Sequence, residues 1–181
     1  MAKRRPLQVD PIAEAKRQWA DHGWQEAADG MALVTSVMRA QQLLLAKVEA
    51  VLKPFGLSFA RFELLRLLAF TRSGRMPLAS VVSRLQVHPA SMTSVVERLR
   101  KDGLVERETH PEDRRAAMLI LTPAGRDLVE RATEALNTHV FADTGIPEND
   151  EAALVGIIAR MRKSAGDFED PRSYPEPLEH S

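Results

Sequence analysis

The sequence contains no cysteine among its 181 residues. That absence excludes disulfides, thiolate zinc sites, cysteine nucleophiles and thiol-based redox switches together. Aromatic residues are scarce, at 5%. Leucine, alanine, valine and arginine are plentiful, a composition that favours helices over an all-β sandwich. Net charge is also missing: 25 basic residues face 25 acidic ones. A diffuse basic field therefore does not point to nucleic acid, and any such case rests on local placement. No apolar run approaches the roughly 18 residues of a membrane span. The basic opening MAKRRPLQVD lacks the apolar stretch of a secretion signal, so the expected compartment is the cytoplasm. The histidines His22, His88, His110, His139 and His180 show no close metal-ligand spacing. Nucleophile elbows, glycine-rich phosphate loops and paired catalytic carboxylates are absent too. The expectation is no enzyme, no metal and no cofactor.

Periodicity and punctuation supply what is present. Asp10 and Pro11 start a helix that runs to Gly23. A long helix follows from Gln25 to Lys53, with Val34, Val37, Met38, Leu44, Leu45, Val48, Val51 and Leu52 on one stripe. Pro54 and Gly56 break it, and Ser58 caps the next helix. TRSGRMP reads as a loop, LASVVSRL as a short helix, and Pro89 opens the helix PASMTSVVERLRK, which Gly103 ends. Two strands then enclose a charged tip. Thr122 and Pro123 start a helix to about residue 142, and 151–165 form the last one. The chain is thus mainly α with a small β-hairpin. The two long outer segments carry apolar stripes suited to packing together and against a second copy.

Two short helices joined by a tight turn make a helix-turn-helix. In the second of them Met92, Val95, Val96 and Leu99 fall on one face and point to the core. Ala90, Ser91, Thr93, Ser94, Glu97, Arg98 and Lys101 are left outside. Small residues allow close approach to base edges, and hydroxyls bond bases or phosphates. The hairpin LVERETHPEDRRAAMLILT places Arg114 and Arg115 at its tip. Arginines there suit phosphates or a narrow minor groove. From Arg84 to Arg115 seven Lys/Arg face six Asp/Glu, a net of +1. Affinity then depends on a few placed arginines and helix N-termini. Near-neutrality leaves a second reading open, a winged-helix protein–protein module without DNA binding.

Residues 85–129 resemble the MarR family of bacterial transcription regulators, through ERLRKDGLVER, the tip PEDRR and the exit LTPAG. The resemblance implies a winged helix-turn-helix with N- and C-terminal dimerisation helices. It divides the chain into a basic arm (1–9), dimerisation helices (10–57), a DNA-binding domain (58–122), further dimerisation helices (123–166) and a proline-rich tail (167–181). It also implies a homodimer on a palindromic operator in double-stranded DNA, with half-sites ~34–36 Å apart. His88, Pro89, Ala90, Ser91, Thr93, Ser94 and Arg98 would form the recognition helix's DNA face. Arg114 and Arg115 would engage DNA from the wing. Asp113 would brace that wing, and Glu97 occupies the place of an acid that pairs with a wing arginine. Glu97 equally suits an ordinary helical pair with Arg100 or Lys101.

Such regulators commonly release DNA, as repressors, when a small aromatic and anionic effector binds. The extra N-terminal helix and Trp19 resemble a urate-responsive subgroup, with Glu63 near that subgroup's acidic position. The subgroup's recognition-helix arginine is missing around Thr93–Val95. Trp19 and Trp24 also suit packing roles, and Glu63 a pair with Arg61 or Arg66. The wing reading yields a direct expectation. Replacing Arg114 and Arg115 together by alanine weakens DNA binding across sequences and lowers the salt dependence by about one unit per lost phosphate contact. Gel shifts over a salt series check this, and wild-type affinity in the double variant would overturn it.

Overall fold

The computed structural model describes residues 6–86, 88–109 and 117–169. Helices dominate, with one three-stranded sheet among the described residues. The chain forms two compact units, Met1–Val48 and Glu49–Ser181.

The first unit begins with α1, Pro11–Asp21. Its start follows from chemistry: Asp10 accepts from the Ile12 N–H at 2.9 Å, and Pro11 takes a position that needs no donor. Helix α2 spans Gln25–Leu52, and its last turn enters the second unit. At the corner between the helices Trp19 and Trp24 meet edge to face, 5.4 Å between ring centroids, and Lys16 pairs with Asp29. The stripe expected on α2 has the right spacing but is buried only at its end, at Val48 and Leu52. Leu33, Val34, Val37, Met38, Leu43 and Leu44 are exposed, and Val48 is buried.

The second unit is built around α3, Phe59–Phe70. Ser58 caps it by accepting from the Arg61 N–H at 3.4 Å. Phe62, Leu64, Leu65 and Leu68 are buried on more than one side of this helix, which packs on α4, Leu78–Leu85, on α5, Pro89–Lys101, and on α6, Pro123–Leu136. The sheet has the order β1-β3-β2, with β1 at Arg75–Pro77, β2 at Val105–Thr109 and β3 at Ala117–Leu121. Both pairings are antiparallel, with Met76 opposite Leu119 and Val105 opposite Leu121. Arg75 reaches Glu108 at 2.6 Å and ties the two outer strands together. β1 corrects the sequence reading, in which TRSGRMP was expected to be a loop. Three residues carry too little alternation to read as a strand, and their partner Ile120 lies far along the chain. Pro77 is tolerated because β1 is an edge.

After α6 the chain continues as a π-helical turn, Asn137–Phe141, and then α7, Glu148–Ser164. Leu154, Val155, Ile157, Ile158 and Met161 on α7 are exposed. The tightest contact of the unit lies at the start of α6. Thr122 Oγ1 accepts from the Gly125 N–H at 2.9 Å and donates to the Gly103 carbonyl at 2.9 Å. A Cβ at Gly125 would stand 2.1 Å from the Leu104 carbonyl oxygen and 2.9 Å from Leu121 Cδ1. Gly125→Ala therefore forces α6 away from the α5–β2 corner. The expected loss is about 3 kcal/mol in urea unfolding; a loss under about 1 kcal/mol would show that the corner gives way easily.

Candidate nucleic-acid interface

Helix α5 owes its orientation to its buried face. Met92, Val96 and Leu99 are essentially inaccessible, and the helix packs on α3 and β2. Burial of these three side chains stabilises by about 1.5–3 kcal/mol each, enough to prevent the helix from rolling. Ala90, Ser91, Thr93, Ser94, Glu97 and Arg98 consequently face outward and are exposed. Val95, expected in the core, is only partly buried. The His88 Nδ1 accepts from the Ala90 N–H at 3.3 Å and caps the helix, with Pro89 at its first position. The fold thus brings His88, Ala90, Ser91, Thr93, Ser94 and Arg98 onto one accessible strip.

Charges flanking that strip are already committed locally. Arg98 pairs with Asp102 at 3.4 Å, and Arg61 from α3 reaches the same carboxylate at 3.5 Å. Asp102 is the C-cap of α5, so Arg61 ties the end of this helix to α3. Glu97 holds Arg100 at 3.0 Å, the local helical pair that its position on α5 offers. His110, Asp113, Arg114 and Arg115 lie outside the described residues, as do Lys3, Arg4 and Arg5. The two effector candidates fall in different units: Trp19 borders an open hollow with Gly23 and Trp24, and Glu63 lines a cavity on α3.

One functional residue escaped sequence reasoning. Gln86, in the turn between α4 and α5, takes a left-handed conformation with φ 52°. Its Nε2 donates to the Asp167 carbonyl at 2.9 Å, and Arg162 Nη2 donates to its Oε1 at 3.4 Å. Arg162 also donates from Nε to the Asp167 carboxylate at 2.6 Å and lies over the Phe168 ring at 5.3 Å. The end of α7 therefore clasps the turn that sets the entry angle of α5. No signal in the sequence links positions so far apart.

A helix-turn-helix with a small, polar outer face, backed by a three-stranded sheet, defines a winged-helix DNA-binding regulator. Residues 57–117 match the MarR family. Sco5413, a MarR family transcriptional regulator from Streptomyces coelicolor, is 40% identical; the match covers 78% of this chain and 99% of Sco5413, with a TM-score of 0.71. The HTH-type transcriptional regulator YhbI of Bacillus subtilis is 35% identical over 85 residues, 47% of this chain and 54% of YhbI, so the matched stretch spans about half of that relative. BpsR of Bordetella bronchiseptica, whose DNA binding is regulated by 6-hydroxynicotinic acid, is 27% identical over 71% of this chain and 97% of its own, with a TM-score of 0.63. The chain belongs to the MarR family of transcriptional regulators. Its relatives and its fold are those of regulators, not enzymes.

The clasp on Gln86 has a measurable consequence. Arg162→Ala leaves every residue of the helix-turn-helix in place, yet is expected to weaken DNA binding several-fold while costing ~1 kcal/mol of stability. Fluorescence anisotropy with labelled DNA reads the first effect and urea unfolding the second. Unchanged affinity in Arg162→Ala would show that the turn holds α5 without help.

Proposed function

We propose that the protein is a homodimeric, cytoplasmic repressor that binds a palindromic operator through α5 and the wing and leaves it when a small aromatic ligand binds. The observation that carries this reading is the outer face of α5. Ala90, Ser91, Thr93 and Ser94 put no bulk between the helix and the floor of a major groove, while Met92, Val96 and Leu99 hold that face outward. The two wing arginines then add contacts beside it, one or both to phosphate or the minor groove.

Dimerisation follows from the exposed apolar faces. Six large apolar residues on α2 and five on α7 are exposed, and exposed apolar faces of this kind suit a partner surface. A second copy covers them, and twofold symmetry then demands a twofold operator. The ligand-release reading draws on BpsR, whose DNA binding is regulated by a small molecule, and, independently of that molecule's charge, on the apolar hollow of α3.

The experiment is a gel shift with a fragment containing the gene's own promoter, together with light scattering of the free protein. A dimer mass and a specific shift with a twofold-symmetric footprint are expected. Ser94→Ala should cost ~1–3 kcal/mol and relax preference at one position of each half-site. If no genomic fragment shifts at low salt, the domain is a protein-binding module instead.

A further inference from the structure

Helix α3 borders a cavity of about 270 Å³ whose lining includes Phe59, Phe62, Phe70 and Phe141, together with Glu63 and Arg66. The hollow is open to solvent, with Phe70 and Phe141 largely exposed, and its volume admits an aromatic ring with a short arm. Its walls are almost wholly apolar, and the two charged residues decide what else a ligand must carry.

Arg66 is spoken for. Its Nη1 and Nη2 donate to the Glu130 carboxylate at 2.9 and 3.1 Å, and Nη1 lies 3.3 Å from the Thr133 hydroxyl. The guanidinium also sits over the Phe70 ring, 4.5 Å from its centroid. The hydrogen bonds from Arg66 pull the Glu130 carboxyl below its ordinary range. A forked pair of this kind is the strong form of such a bond and cancels the cation's charge. The Arg66 Nε is buried without an acceptor, but a ligand carboxylate placed there would lie within one helical turn of Glu63.

Glu63 is the opposite case. It is half-buried, it makes no hydrogen bond or ion pair among the described residues, and burial alone pushes its carboxyl up. Arg61, one of the partners its sequence neighbourhood offered, turns to Asp102, and the other, Arg66, turns to Glu130. Among the described residues, the group beside the cavity left without a partner is therefore an acid, and the basic residue is paired. A second carboxylate placed next to it is disfavoured by desolvation and by like-charge repulsion. An ammonium gains the carboxylate as acceptor.

We infer that this cavity binds an aromatic ligand carrying an ammonium or comparable N–H donor, which Glu63 accepts, and that it rejects aromatic carboxylates. The inference deepens the ligand-release reading above and rests on it for its regulatory meaning. It departs from the anionic effector that family resemblance implies, and Glu63 is the residue that determines the specificity.

Calorimetry with the full chain and three probes of equal size tests it: phenethylamine, 2-phenylethanol and phenylacetate. Phenethylamine is expected to bind roughly tenfold or more tighter than phenylacetate, with the alcohol between them. Glu63→Gln should lower amine affinity about tenfold, to the level of the alcohol, and Glu63→Asp should keep the charge preference, which separates lost charge from lost fold. Phenylacetate binding as tightly as phenethylamine, amine affinity unchanged in Glu63→Gln, or no amine binding at millimolar concentration would each overturn the assignment. No DNA is present in this experiment. A failure of operator binding in the gel shift therefore strikes the function proposed above and leaves the cavity's selectivity standing.

Discussion

The contact between the first turn of α6 and the α5–β2 corner is the constraint on which the second unit depends. Thr122 bonds the carbonyls of Gly103 and Leu104 while capping α6, and Gly125 lets the helix approach the Leu104 carbonyl without a Cβ between them. One residue after Leu104, strand β2 begins. Two residues before Gly103, the recognition helix ends. The same few atoms therefore fix where α5 stops and where β2 starts. A winged helix works only if helix and wing keep a constant relation, and here that relation passes through one corner with no room for a methyl group.

Helix α3 shows how a single element serves several tasks by assigning its charges differently. Arg61 faces the recognition helix and holds Asp102 at its C-cap. Arg66 faces α6 and binds Glu130. Glu63, between them in sequence, lines a cavity and has no partner among the described residues. The apolar positions Phe62, Leu64, Leu65 and Leu68 hold the helix in the core throughout. Under the proposed ligand-release function, Arg61 is the contact through which a displacement of α3 would reach the end of α5. That route uses the same packed helix and needs no separate relay.

Most of the helical frame was legible in the sequence, because its signals are local. Asp10, Ser58, His88 and Thr122 each accept from a backbone N–H at the start of the helix they precede. The inner face of α5 was legible too, since Met92, Val96 and Leu99 repeat at helical spacing. Strand β1 was not, because three residues form it only through a distant partner. The partner of Glu97 was left open between wing and helix, and among the described residues geometry places Arg100 against it. Gln86 carried no sequence signal: its role arises only where the end of α7 meets the helix-turn-helix turn.

By itself, the sequence determined the helices, the order of helix-turn-helix and hairpin, and the exposure of a small polar strip on α5, since caps, breakers and periodicity act over a few residues. It also excluded thiol chemistry outright, through composition alone. Tertiary structure alone decided how the charges pair. Arg61 and Arg66 each have Glu63 close by in sequence, and only the folded chain shows that they take Asp102 and Glu130 instead and that Glu63 has no partner among the described residues. The reason is distance: an ion pair forms over a few ångströms in space, and residues 64 positions apart, such as Arg66 and Glu130, reach that range only after the core has packed.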